Sequence, residues 1–112
     1  MPNLGRAKIE RSRISDYLLN PKKSKGKQEF FKSLGYNMKN QARMQSDIRK
    51  AMKNARVRIS EPNKHGTIHI QANIEIGVNK RGTVVAGWII RKGKKYPELS
   101  TVRPYRGKKD DF

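Results

Sequence analysis

Apolar positions along this chain change their period once, near residue 56. Ahead of that point they recur at three and four residues, the spacing of one helix face. Ile14, Tyr17 and Leu18 share a face, which predicts a short helix over 12–20. Ser12 or Ser15 caps it and Pro21 ends it at Asn20. Phe30, Phe31 and Leu34 predict a second helix over 28–34, with Gly35 just past its C-terminus. Asn37 is placed to cap a third, longer helix over 38–55, whose apolar side holds Ala42 or Met44, Ile48, Ala51, Met52 and Ala55.

Beyond residue 56 the period is two. Residues 56–60 form a short strand, and 61–66 a turn. Over 67–78, Ile68, Ile70, Ala72, Ile74 and Ile76 alternate with Thr67, His69, Gln71, Asn73 and Glu75. That is a strand with one face in the core and one in water. Asn79-Lys80-Arg81-Gly82 turns the chain into 83–91, a mostly apolar strand that includes Trp88, read as a core residue. Lys92-Gly93-Lys94-Lys95 turns it again into 98–105, where Pro104 confines the last strand to an edge or to its end. The expected fold is α+β: about three N-terminal helices packed on one face of an antiparallel sheet of about four strands. The whole of 1–112 reads as one domain, with 1–8 and 106–112 as loose ends.

Charge adds a partner to this picture. Lys and Arg number 27 against nine acidic residues, a formal net charge of +18. Self-repulsion of that size works against a compact state, and a phosphate lattice relieves it. The sequence contains no cysteine, so neither disulfides nor thiolate metal sites arise. No apolar run reaches membrane-spanning length, so no membrane integration is expected. Residues 1–6 lack the apolar segment of a signal peptide, so a domain of this kind leaves its cell only as part of something larger.

His65 and His69 are the two histidines. On a strand, positions four apart stand about 13 Å from each other, too far for one metal ion. Carboxylates are scattered, with only Asp110 and Asp111 adjacent, so no metal or other cofactor is expected. Cleavage of RNA without metal needs less: attack by the ribose 2′-oxygen, a base, an acid, and cations on the phosphate oxygens. DNA lacks that internal nucleophile. His69, on the polar strand face, suits the proton transfer. In the last strand Thr101, Arg103 and Tyr105 form one row of hydroxyl, guanidinium and phenol, suited to phosphate binding and base stacking. These four are the expected catalytic residues. Lys64, His65, Lys92, Lys94, Lys95, Lys22 and Lys23, in loops, are expected to track RNA. A non-catalytic basic RNA-binding module is the alternative.

Residues 14–21 (ISDYLLNP), Lys25-Gly26-Lys27 and 30–36 (FFKSLGY) resemble the opening of toxin domains at the C-termini of bacterial polymorphic toxins, of the contact-dependent growth inhibition and Rhs types. Residues 87–90 (GWII) and 97–104 (PELSTVRP) are similar to the end of the same pattern, and the similarity loosely spans 9–105. The order of helices before sheet also resembles the barnase, EndoU, colicin and RelE group of ribonuclease folds. The resemblance implies an antibacterial domain exported as the C-terminal part of a larger effector. It would act on RNA, tRNA in particular, in the target-cell cytoplasm. Its implied partners are an acidic immunity protein and a target-cell translation factor. Active sites vary within the group, so the resemblance carries over no catalytic residue.

Overall fold

A computed structural model describes residues 4–10, Ile14 and 27–105. The predicted first helix, over 12–20, and Lys22 and Lys23 lie outside these residues, apart from Ile14, which is buried. The chain is α+β with a four-stranded antiparallel sheet. The expectation of three N-terminal helices is corrected. Besides Ile14, which is helical, the described residues contain two α-helices, α1 (Lys27–Ser33) and α2 (Gln41–Met52), and the longer one lies in the middle of the chain.

Local chemistry accounts for the bounds of α2. The Asn37 side chain accepts from the amides of Lys39 and Asn40, and the Asn40 side chain accepts in return from the Asn37 amide. This reciprocal cap fixes a tight 3-10 turn, Met38–Asn40, and regular helix starts only at Gln41. Met44, Ile48 and Met52, one turn apart, are its fully buried stripe. The helix stops at Met52, before the predicted Ala55, because that stripe is then spent and the chain turns into the sheet.

The strands are β1 (Val57–Ile59), β2 (Ile68–Ile76), β3 (Gly82–Ile90) and β4 (Glu98–Pro104), in sheet order β1-β2-β3-β4. Ile70, Ala72 and Ile74 on β2 pair with Trp88, Ala86 and Val84 on β3, and Val102 lies beyond Ala86 on β4. These side chains meet Phe31, Leu34, Tyr36 and the α2 stripe in one apolar cluster. Full burial of each Ile, Val, Leu, Phe or Met side chain among them stabilises by about 1.5–3 kcal/mol. Trp88 is 1 % exposed and belongs to this core.

Two details set the edges of the sheet. Lys8 forms a parallel bridge with Glu98, its amide donating to the Pro97 carbonyl while the Leu99 amide donates to the Lys8 carbonyl. Ala7 and Ile9, on either side, are buried. At the opposite edge β1 pairs only with residues 70–72, so β2 outruns it. One face of the sheet is therefore covered by the helices, and the odd-numbered residues of β2 and β3 lie on the other.

Candidate functional site

The open face is organised in rows. Arg58, Gln71, Gly87 and Thr101 stand side by side across all four strands. The next row towards the start of β2 holds His69, Ile89 and Glu98, and Ser60 extends it just beyond β1. Ser60 is held there by its backbone and its side chain. Its amide donates to the His69 carbonyl at 2.9 Å, and its hydroxyl accepts from the His69 amide at 3.0 Å. The same hydroxyl donates to the Glu61 carbonyl. Arg58, Ser60, His69 and Gln71 line a cavity of about 340 Å³.

β3 keeps the middle of this face low. Gly87 has no side chain, and a Cβ placed there would lie 2.9 Å from the Thr101 methyl. A β-bulge at Gly87/Trp88 shifts the register of β4 by one residue, so that Glu98 falls opposite Ile89 and in the His69 row. The Glu98 carboxylate accepts from Nε of Arg91 at 2.7 Å. A second guanidinium thus stands at this end of the face, across from Arg58.

Two basic loops meet here. Between β1 and β2, the Asn63 side chain accepts from the amides of His65 and Thr67 and closes a tight loop that exposes Lys64 and His65. Gly66, at φ +78°, lies against the aliphatic stem of Lys92 in the β3–β4 loop. The predicted RNA-tracking residues Lys64, His65, Lys92, Lys94 and Lys95 therefore gather at the His69 end of the sheet, all exposed. Lys22 and Lys23, predicted for the same role, lie outside the described residues.

The predicted catalytic residues are spread more widely than the sequence suggested. Thr101 is in the Gln71 row, two strands over and two residues along from His69, about 12 Å between Cα atoms by strand geometry. Arg103 pairs with Val85 in the Asn73 row, about 16 Å from His69 on the same reckoning. Tyr105 lies past the end of β4, its amide donating to the Thr83 carbonyl, one row farther still. The face gathers His69, Arg58, Ser60 and Gln71, with Thr101 across Gly87, and leaves Arg103 and Tyr105 at the far end. Arg58 and Ser60 escaped the sequence reading. Their alternation with Val57 and Ile59 was visible, but their place beside His69 depends on the β1–β2 register.

A larger cavity, about 430 Å³, opens between α2 and the free edge of β2, lined among others by Asp47, Lys50, Asn54, Asn73 and Arg81. It holds no histidine, and its Glu75 is ion-paired with Arg81. Among the described residues no three His, Asp or Glu side chains converge on a point that would hold a metal ion. No described helix is long and apolar enough to cross a membrane.

An α+β domain with one helix-covered sheet face and one open cationic face is thus the class that the geometry defines. The chain belongs to the family described as domain of unknown function (DUF6883), whose profile matches residues 1–106. No curated protein and no solved structure matches it.

Proposed function

We propose that this domain is a metal-independent ribonuclease, an antibacterial toxin domain of the polymorphic-toxin kind that cuts RNA, tRNA in particular. The observation that carries the reading is the cavity where His69 stands among Arg58, Ser60 and Gln71, at the end of the sheet where two lysine-rich loops meet. Arg58 offers a planar, permanently charged fork for the scissile phosphate. Gln71 and Ser60 offer an amide and a hydroxyl for the ribose or the base. His69 exchanges protons with the reacting oxygens. The loops carrying Lys64, Lys92, Lys94 and Lys95 guide the backbone of the RNA. The ribose 2′-oxygen attacks the adjacent phosphate, so the products are a 2′,3′-cyclic phosphate and a 5′-hydroxyl.

On this reading the domain is exported within a larger effector and works in the cytoplasm of the target cell, with a translation factor there as a further partner. The producing cell is protected by an acidic immunity protein. An inhibitor of that charge is steered to a +18 domain and covers its cationic end.

The test is incubation of the purified domain with bacterial RNA in excess EDTA, followed by analysis of the RNA ends. Cyclic-phosphate ends in chelator support the reading. Activity lost in EDTA and restored by magnesium refutes the mechanism. Tight binding without cleavage leaves the non-catalytic RNA-binding module in its place.

A further inference from the structure

We infer that the cavity between α2 and the free edge of β2 is a second ligand site and takes an adenine 5′-phosphate unit, as a free nucleotide or as one residue of an RNA strand. Binding is all that this asks of the site, so it stands apart from the ribonuclease reading.

Two independent features of the chain open this cavity. β1 pairs with β2 only as far as Ala72, so among the described residues the edge from Asn73 to Ile76 has no strand beside it. The flank of α2 at this edge carries Ala51, with Ala55 one turn on, and their methyl groups leave a gap. The gap measures about 430 Å³, within the range of about 300–1,000 Å³ that small-molecule sites occupy. Ala51, Ala55 and Ile74 give it an apolar wall for the flat side of a ring.

The polar groups around it divide into engaged and free. Asp47 is held by Tyr36 and Arg43, and Glu75 by Arg81, which also donates to the Glu75 carbonyl. The Lys50 ammonium and the carboxamides of Asn54 and Asn73 have no partner among the described residues. Asn73 stands out further. Three side-chain atoms among the described residues are shut off from solvent without a hydrogen-bond partner, Asn73 Oδ1 being one, and of their residues Asn73 alone lines either cavity. A shielded carbonyl oxygen calls for a donor. Rotation about the soft final torsion of asparagine turns the amide to meet one in the cavity.

The free groups decide the ligand. A carboxamide pairs with adenine through two bonds, its oxygen accepting from the 6-amino group and its nitrogen donating to N7. Guanine offers two acceptors on that edge, and its own donors call for a free carboxylate, whereas Asp47 and Glu75 are both engaged. Lys50, exposed beside the cavity, supplies the charge for the phosphate.

Isothermal titration of the full chain with AMP, GMP, adenosine and inorganic phosphate in turn tests the assignment. AMP is expected to bind about tenfold more tightly than GMP or phosphate. Asn73→Ala should bring AMP and GMP within about twofold of each other, and Lys50→Gln should weaken AMP about fivefold while leaving adenosine within about twofold. An uncleavable 2′-O-methyl hexauridine, compared with the same strand carrying one adenosine, separates the sources. Preference for the adenosine strand assigns a residue of RNA, and tight AMP binding without that preference assigns the free nucleotide. Ala51→Leu fills the cavity with another good helix former, so it should abolish either kind of binding without lowering the melting temperature. Equal binding of AMP, GMP and phosphate overturns the inference, as does binding unchanged in Ala51→Leu, or the absence of both AMP binding and adenosine preference. A domain that binds AMP and cuts no RNA upholds the inference and refutes the ribonuclease reading alone.

Discussion

The phenol of Tyr36 donates to the Asp47 carboxylate at 2.5 Å, tying the segment after α1 to the middle of α2. Arg43, one turn before Asp47, donates its Nε–H to both oxygens of the same carboxylate, at 3.0 and 3.1 Å. Tyr36 is 1 % exposed. Burial pushes its ionisation well above the ordinary tyrosine value, and its bond to the negative Asp47 pushes it the same way. A tyrosine whose folded value is raised contributes stability that is complete below its unfolded value of about 10 and is lost as the pH rises beyond it. Denaturant midpoints should therefore be unaffected by this residue up to about pH 10 and then fall. Tyr36→Phe should cost about 2 kcal/mol at neutral pH and flatten the alkaline fall. An equally steep fall in Tyr36→Phe would assign it to other groups.

Substitutions on the open face should rank by their distance from the His69 cavity. His69→Ala and Arg58→Ala are each expected to lower cleavage by about 100-fold or more, with melting temperatures nearly unchanged because both side chains are exposed. Arg103→Ala and Tyr105→Phe, at the far end, should cost less than about tenfold, the scale of a substrate-guiding contact. Steady-state kinetics on one oligonucleotide give the order. Arg103→Ala as damaging as His69→Ala would move the site to the centre of the face.

Salt should control RNA binding. With the loops of Lys64 and Lys92 against the phosphates, log affinity should fall with log salt at a slope of several units. Lys64→Ala and Lys92→Ala should each reduce that slope by about one. A flat dependence from low to physiological salt would remove the electrostatic role of these loops.

Gly87→Ala fills the low middle of the face. The new methyl displaces the Thr101 side chain, at a cost of about 1 kcal/mol in stability. Catalysis should suffer more, by about tenfold or above at a temperature where the variant is fully folded, because the substrate is lifted from its position. Unchanged kinetics would mean that the RNA does not cross Gly87.

Local pattern explains what was legible in the sequence. Ile70, Ala72, Ile74 and Ile76 marked both the strand and its buried face, because period two is a property of neighbouring residues. Met44, Ile48 and Met52 marked the α2 stripe in the same way. The helical start at Met38 with Asn37 as its cap was legible too; that the first turn is 3-10 and regular helix begins at Gln41 depends on the Asn40 side chain. The predicted cluster of His69 with Thr101, Arg103 and Tyr105 rested on strand contents without strand pairing. Pairing is a long-range property: the bulge at Gly87/Trp88 alone decides that Glu98 faces Ile89. Ser60 and Arg58 stood in plain sight and gained meaning only from the register of β1 on β2.

The bridge from Lys8 to Glu98 also has the longest reach along the chain of the sheet's pairings. The hairpins between successive strands close short loops and form early, whereas this contact joins nearly opposite ends of the described chain and carries the largest closure entropy. The backbone pairing of Lys8, between buried Ala7 and Ile9, requires β4. A ribosome delivers the N-terminal side first, so the strand that pairs with Lys8 is the last of the four to be made. The His69 cavity, by contrast, is lined from β1, β2 and Ser60 alone and does not depend on that contact.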